Sequence, residues 1–357
     1  MILFRADGNE LIGSGHIMRC LAIAESAIAI GEKCIFVLSD DNFKEKIAQS
    51  GHETIILNSD YKNLESEIVE FTNILKARSP QIVIVDSYFV TNNYLTHLHS
   101  ASKDINSKLL YIDDICSFAY PCDILLNYNI YAEDLKGSYK NLYSKANVPT
   151  PNMLLGIKYV PLRKEFRNLP TRRIPRKKEN ADSILISTGG SDPTHMSLSL
   201  IEAIKAIPKS YNYKFHFLIG PKNSDIKTIQ EACLSMPNII LHINAQNISA
   251  IMCSCDVAIS AAGSTLYELC ATQTPTIAYA IAENQILSLM KFNQLGISKT
   301  FTMQKNTNNA NSLIQEAINL CQNFTIRVQM IQKSNNYIFP KESVNIFIKI
   351  NNLTKPV

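Results

Sequence analysis

The chain has 357 residues, enough for two domains with full cores. Its hydrophobic content of 46% and charged content of 18% are those of an ordinary globular protein, and a formal charge of +4 argues for neither nucleic acid nor a membrane surface as partner. Nine cysteines without paired spacing argue against a disulfide framework, and Cys253-Ser254-Cys255 has no second pair to complete a zinc site, so a reducing cytoplasm is the expected compartment.

The chain opens on a strand-like run, Met1-Ile2-Leu3-Phe4, with no sign of a secretory leader. Next comes Ile12-Gly13-Ser14-Gly15-His16-Ile17-Met18-Arg19-Cys20, ahead of a long helical pattern. Gly13 and Gly15 let the backbone turn sharply and approach a ligand. A helix starting near residue 15 directs its unpaired N–H groups and positive dipole end at whatever sits above the loop. His16 at that helix start is a candidate general base. The stretch lacks the third small residue of a dinucleotide fingerprint. A plain strand-to-helix turn with a capping histidine is the alternative. The apolar residues 21–30 are broken by Glu25 and too short to span a bilayer.

Short apolar runs at 35–38, 54–57, 82–85, 109–112 and 124–127 read as strands separated by helical patterns. In the helix expected over 64–77, Leu64, Ile68, Phe71 and Leu75 share one face, and Pro80 stops it. Asp86-Ser87-Tyr88 and Asp113-Asp114 fall at carboxyl ends of strands. Continuous apolar strands alternating with helices indicate a parallel sheet covered on both faces. Residues 158–181, with Pro161, Pro170, Pro175 and the basic run Arg172-Arg173-Ile174-Pro175-Arg176-Lys177-Lys178, read as a solvated linker.

The alternation then restarts, with strands at 183–188, 215–219, 239–241, 257–260 and 276–279, the last one expected. From about residue 305 the chain is polar and helical, ending in the amphipathic Val344-Asn345-Ile346-Phe347-Ile348. The expected fold is α/β, two Rossmann-like domains whose parallel sheets face a central cleft. The expected divisions are 1–157, a linker at 158–181, 182–304 and a helical extension at 305–357. Ligands in such sheets bind beyond the carboxyl ends of the strands.

Three loops there carry chemistry. In Gly263-Ser264-Thr265-Leu266-Tyr267-Glu268, the glycine admits a diphosphate, the hydroxyls donate to it, and Glu268, one turn into the helix, can accept two vicinal ribose hydroxyls. The alternative is a capping box of Thr265 and Glu268. Thr188-Gly189-Gly190-Ser191-Asp192-Pro193 is a second glycine loop, with Asp192 as N-cap and Pro193 at the first helical position. The amides of Asn284 and Gln285 could read a sugar or cap a helix. His97 and His99 lie two apart on a helix and make a poor metal pair, and no metal site is expected.

Taken in order, these motifs resemble a known family. They comprise Arg5-Ala6-Asp7 with Ile12-Gly13-Ser14-Gly15-His16-Ile17-Met18-Arg19, Asp86-Ser87-Tyr88, Ile112-Asp113-Asp114, Cys122-Asp123-Ile124-Leu125-Leu126-Asn127, Gly189-Gly190-Ser191-Asp192, Ser264-Thr265-Leu266-Tyr267-Glu268 and Asn284-Gln285. The set resembles the UDP-2,4-diacetamido-2,4,6-trideoxy-β-L-altropyranose hydrolases of pseudaminic acid biosynthesis and the related spore-coat polysaccharide proteins. Both lie within the wider GT-B group that includes MurG-type glycosyltransferases. The resemblance implies metal-independent hydrolysis with no cofactor. Water activated by His16 would attack the anomeric carbon, and UDP would leave from a second domain in which Glu268 holds the ribose. Two departures stand out. Ser87 replaces the histidine that family members often carry between the Asp and Tyr, and the tail is long, as a closing helix packing back on the first domain would be.

The chemistry agrees. UDP is a good leaving group, so positive potential from helix N-termini and Arg19 suffices on that side, and a single water attack inverts the anomeric centre. Gly13, Gly15, Arg19, Asp86, Tyr88, Asn127, Gly189, Gly190, Ser191, Gly263, Ser264, Thr265, Glu268, Asn284 and Gln285 are the expected substrate contacts. Tyr88, Asn284 and the loop around Asn127 are the candidates for reading the sugar. The expected ligands are a UDP-sugar and UDP, met by a cytoplasmic monomer with no nucleic-acid partner and no membrane insertion. A GT-B glycosyltransferase and a non-catalytic nucleotide-sugar-binding protein are the alternatives.

Overall fold

A computed structural model describes residues 1–9, 11–167, 169, 181–303 and 309–337. The described residues divide into two compact units, one running from Met1 to Lys164 and the other beginning at Glu165.

The first unit is built on seven strands: β1 (Ile2–Ala6), β2 (Cys34–Leu38), β3 (Glu53–Ile56), β4 (Ile82–Asp86), β5 (Lys108–Ile112), β6 (Ile124–Asn127) and β7 (Asn152–Leu155). They form one parallel sheet in the order β3-β2-β1-β4-β5-β6-β7. Strands buried on both faces favour apolar side chains throughout, which is why β2 reads as an unbroken apolar run and β1 and β4 are apolar apart from Arg5 and Asp86. Helices Ile68–Arg78 and Asn92–Asp104 set Phe71, Leu75, Leu95 and Leu98 against Val83, Val85 and Leu109. Each such side chain contributes about 1.5–3 kcal/mol by leaving water. The chain winds outward from β1 in one direction and from β4 in the other. The crevice above their carboxyl ends is where a ligand site is expected in such a sheet.

The second unit repeats the plan with β8 (Ser183–Ser187), β9 (Lys214–Ile219), β10 (Ile239–Ile243), β11 (Val257–Ala261), β12 (Thr276–Tyr279) and β13 (Ser298–Thr300), parallel in the order β10-β9-β8-β11-β12-β13. Its reversal of winding lies between β8 and β11. Two parallel-sheet α/β domains are therefore present, as the sequence pattern indicates.

Three details depart from the sequence reading. The edge strands β7 and β13 are additional. The start of the expected linker carries regular structure: a 3-10 turn (Ile157–Tyr159) runs into it, a short helix (Lys164–Arg167) lies within it, and Val160, Leu162 and Phe166 are buried. The basic run 172–178 lies outside the described residues. The tail is no appendage to the first unit over its described length. Helix Asn309–Gln322 buries Leu313, Ile314, Ala317 and Ile318, all fully, in the core of the second unit, and helix Phe324–Asn335 follows it there. Those four positions recur at i, i+1, i+4 and i+5, one face of a helix. The amphipathic residues 344–348 lie outside the described residues. Among the described residues no helix is long and apolar enough to cross a membrane.

Candidate active site

The loop after β1 is anchored at its start by buried charge. Arg5, fully buried, donates through Nε and Nη2 to Glu67 at 2.6 and 2.7 Å and through Nη1 to Asp7 at 2.6 Å. Tyr94 donates to Glu67 at 2.7 Å, and the Ser39 amide and hydroxyl donate to Asp7 at 2.7 and 2.8 Å. Beyond Asp7 the chain makes a tight bend. Asn9 Oδ1 accepts the Leu11 and Ile12 amides at 2.9 and 3.0 Å, and Gly13 closes the bend with φ +73°, a conformation that favours glycine. Helix Gly15–Ile28 starts there, and His16 sits in its first turn.

The sheet register explains what His16 meets. Ala6 at the end of β1 pairs with Asp86 at the end of β4, so the first turn of the following helix stands over that carboxylate. His16 Nδ1 lies 2.6 Å from Asp86 Oδ1. Arg19, one turn along, donates Nε to Asp86 Oδ2 and Nη2 to Asp86 Oδ1, both at 2.5 Å. Arg19 Nη2 and His16 Nδ1 stand 3.0 Å apart because both donate to the same oxygen. An ionised carboxylate is acceptor only, so this geometry assigns the proton to Nδ1 and the lone pair to Nε2. Among the described residues the His16 ring is hydrogen-bonded through Nδ1, to Asp86. Burial alone would raise the Asp86 carboxyl, but the adjoining Arg19 and His16 overrule it and hold it well below the usual carboxylate range.

A second carboxylate completes the cluster. Asp114 Oδ2 accepts Arg19 Nη1 at 2.7 Å and the Tyr88 hydroxyl at 2.8 Å, and its Oδ1 accepts Asn129 Nδ2 at 2.7 Å. Arg19 Nη1 also donates to the Tyr128 hydroxyl at 3.0 Å. The Tyr88 ring meets His16 edge-on, centroids 4.5 Å apart. In the sequence reading Asp114 appears only within the Ile112-Asp113-Asp114 motif, and Tyr128 and Asn129 only within the loop around Asn127, none with a role of its own. Asp114 follows β5, the strand beside β4.

Three of the expected substrate contacts have protein partners in this geometry. Asp86 is fully buried, with both oxygens engaged by His16 and Arg19. Arg19 is shared between the carboxylates of Asp86 and Asp114. Asn127 is fully buried, donating to the Tyr139 hydroxyl at 3.0 Å and accepting the Asn129 amide at 3.1 Å. Tyr88 is half-buried at the rim of the cluster.

In the second unit, the loops singled out earlier also leave the switch-point strands. After β8 come Gly189 (φ +97°), Gly190 and Ser191. Asp192 is buried, and its two oxygens accept the Met196 and Ser197 amides at 3.0 and 2.8 Å. It caps helix Met196–Ala206, which starts beyond Pro193. Gly220, after β9, packs so closely that a Cβ there would lie 2.0 Å from the Gly190 carbonyl oxygen. After β11, Gly263 is followed by Ser264 at the N-cap of helix Thr265–Ala271, and the Ser264 side chain makes no capping bond. The Thr265–Glu268 capping box is therefore not the arrangement found. Glu268 is half-buried in the first turn of that helix. Asn284 is exposed, and Gln285 turns inward, its Oε1 accepting the Ile281 amide at 3.0 Å.

No protein-family profile matches the chain. Over 270 residues it is 24% identical to an uncharacterized protein, MJ1062, of Methanocaldococcus jannaschii, covering 73% of this chain and 52% of that one, so the chain spans about half the length of that relative. Over 286 residues it is 26% identical to the UDP-2,4-diacetamido-2,4,6-trideoxy-beta-L-altropyranose hydrolase of Campylobacter jejuni, covering 80% of this chain and 93% of that one. The spore coat polysaccharide biosynthesis protein SpsG of Bacillus subtilis is 20% identical over 294 residues, 82% of this chain and 80% of that one. Among solved structures, MurG of Acinetobacter baumannii aligns with a TM-score of 0.65 at 11% identity, over 98% of this chain and 99% of that one. The chain thus has the GT-B fold, and its relatives include the two groups its motifs resemble.

Proposed function

We propose that this protein hydrolyses a UDP-linked diacetamido-trideoxy sugar to UDP and the free sugar. Water attacks the anomeric carbon, its proton passes to His16 Nε2, and the bond from that carbon to the β-phosphate oxygen breaks with the electron pair leaving on UDP. One attack without an enzyme-bound intermediate inverts the anomeric centre. General-base assistance of this kind contributes about 10²- to 10⁴-fold. In this reading His16 is the base, Glu268 binds the ribose, and the residues around Gly189, Gly190 and Ser264 bind the diphosphate.

The observation that carries the reading is the tautomer. A buried carboxylate 2.6 Å from His16 Nδ1 leaves Nε2 able to take a proton. The similarity to a hydrolase over most of both chains supports the choice of substrate class. The shared fold with MurG favours a second reading, a glycosyltransferase in which the same imidazole deprotonates an acceptor hydroxyl. Incubation with the UDP-sugar alone separates the two. The hydrolase releases UDP and reducing sugar at once, and His16→Ala abolishes that release while UDP still binds. Release that requires an added acceptor overturns the hydrolase reading, and retained turnover in His16→Ala removes the base.

A further inference from the structure

We propose that Asp114 is a positioning residue for the His16 base, fixing the imidazole from two sides through Arg19 and Tyr88. The proposal deepens the hydrolase reading and rests on it for the role of His16. Donors from three separate segments converge on this carboxylate: Arg19 of the first helix and the Tyr88 hydroxyl after β4 on Oδ2, and Asn129 after β6 on Oδ1. Its backbone oxygen accepts the Tyr131 hydroxyl at 2.9 Å. With its side chain 8% exposed and both oxygens engaged, Asp114 acts on its neighbours and not on a sugar. By clamping Arg19 it fixes the guanidinium that steers Asp86 toward His16 Nδ1. By clamping the Tyr88 hydroxyl it fixes the ring that packs edge-on against the imidazole.

Charge gives the arrangement a direction. The groups in contact with the imidazole, or one contact removed, are Asp86, Arg19, Tyr88, Cys20, Asp114 and Tyr128. Burial pushes the Tyr88 and Tyr128 hydroxyls and the Cys20 thiol upward, so all three stay neutral. Two carboxylates against one guanidinium leave the cluster one negative charge in excess while the imidazole is neutral. Taking the proton from water cancels that excess. Without Asp114, Arg19 and Asp86 cancel each other, and the imidazolium stands uncompensated.

An amide cannot replace this carboxylate. In Asp114→Asn, turning the one amide oxygen to Arg19 and Tyr88 would set the new NH₂ against Asn129 Nδ2, donor against donor. Asn129 cannot flip to relieve the clash without losing its 3.0 Å bond to Asn127 Oδ1.

The test compares wild type, Asp114→Asn and Asp114→Glu, labelled with nitrogen-15 histidine. Two quantities are read: the imidazole titration of His16, assigned by its disappearance in His16→Ala, and the pH profile of UDP release from UDP-2,4-diacetamido-2,4,6-trideoxy-β-L-altropyranose. In Asp114→Asn the titration and the acid limb of the rate move together to lower pH, by on the order of one unit. Plateau kcat falls roughly ten- to a hundredfold, while KM stays within about twofold. Asp114→Glu restores the titration but not kcat. An Asp114→Asn enzyme with the wild-type titration overturns the proposal, as does one with raised KM and unchanged kcat. If wild type releases no UDP, the functional reading has failed, and the titration alone still decides the role of Asp114. If Asp114→Asn does not fold, wild-type kcat in Asp114→Glu overturns it.

Discussion

Replacing Asp86 by Asn tests the whole site with one atom exchanged. Asp86 accepts from Arg19 twice at 2.5 Å, from His16 at 2.6 Å and from the Cys20 thiol at 3.6 Å. An amide has one acceptor oxygen. If that oxygen stays with Arg19, the new NH₂ donates to His16 Nδ1, the ring proton moves to Nε2, and the lone pair that should receive a proton is gone. Losing the correct tautomer costs roughly 10³- to 10⁴-fold in kcat, judged from the same exchange in serine proteases. Arg19 loses one of its two carboxylates in a buried place, which destabilises by about 3–5 kcal/mol and lowers the melting temperature by roughly 10 °C. The assay is UDP release at saturating substrate, alongside thermal melting by circular dichroism and UDP titration by calorimetry. Stability and rate should both fall, with UDP affinity intact. Turnover within about tenfold of wild type would refute the reasoning, because His16 would then act without the tautomer that Asp86 imposes.

Two further outcomes concern the second unit. Glu268→Ala should weaken UDP binding by roughly ten- to a hundredfold, the worth of a charge-assisted hydrogen-bond pair, with a much smaller effect on kcat at saturation; unchanged calorimetric affinity would remove the ribose assignment. Gly220→Ala should lower thermal stability by about 1–3 kcal/mol and weaken UDP binding, since its Cβ would press on the Gly190 carbonyl and displace that loop. A wild-type melting curve would mean the loop yields freely.

The parts of this protein that follow local rules are legible in its sequence. The β-branched run 82–85 could hardly be anything but a strand buried on both faces, and β4 lies there. The edge strands are not legible, because β13 is Ser298-Lys299-Thr300, three polar residues paired on one side only, where propensity says little. The helix Asn309–Gln322 carries its apolar stripe openly, but the polar residues around it mask how deeply that stripe is buried. At the site, sequence proximity is legible and distance is not. His16 stands out from its glycines, whereas Asp86, 70 residues away, reads as a substrate contact because nothing local ties it to the ring. The same distance hides the partners of Arg19: a cation beside a glycine loop suggests a bound anion, and only the fold brings Asp86 and Asp114 to it.

The buried Arg5–Glu67–Asp7 knot has a practical corollary. It grips the chain just before the bend that leads to His16, and the Arg19–Asp86–Asp114 cluster grips it just after. The bend hangs between two fixed mooring points, with Leu11 at 80% exposure near the tip. An engineer could treat this stretch as an interchangeable cassette, grafting loops of other composition while His16 stays in register. Insertions that cross either mooring would forfeit that freedom.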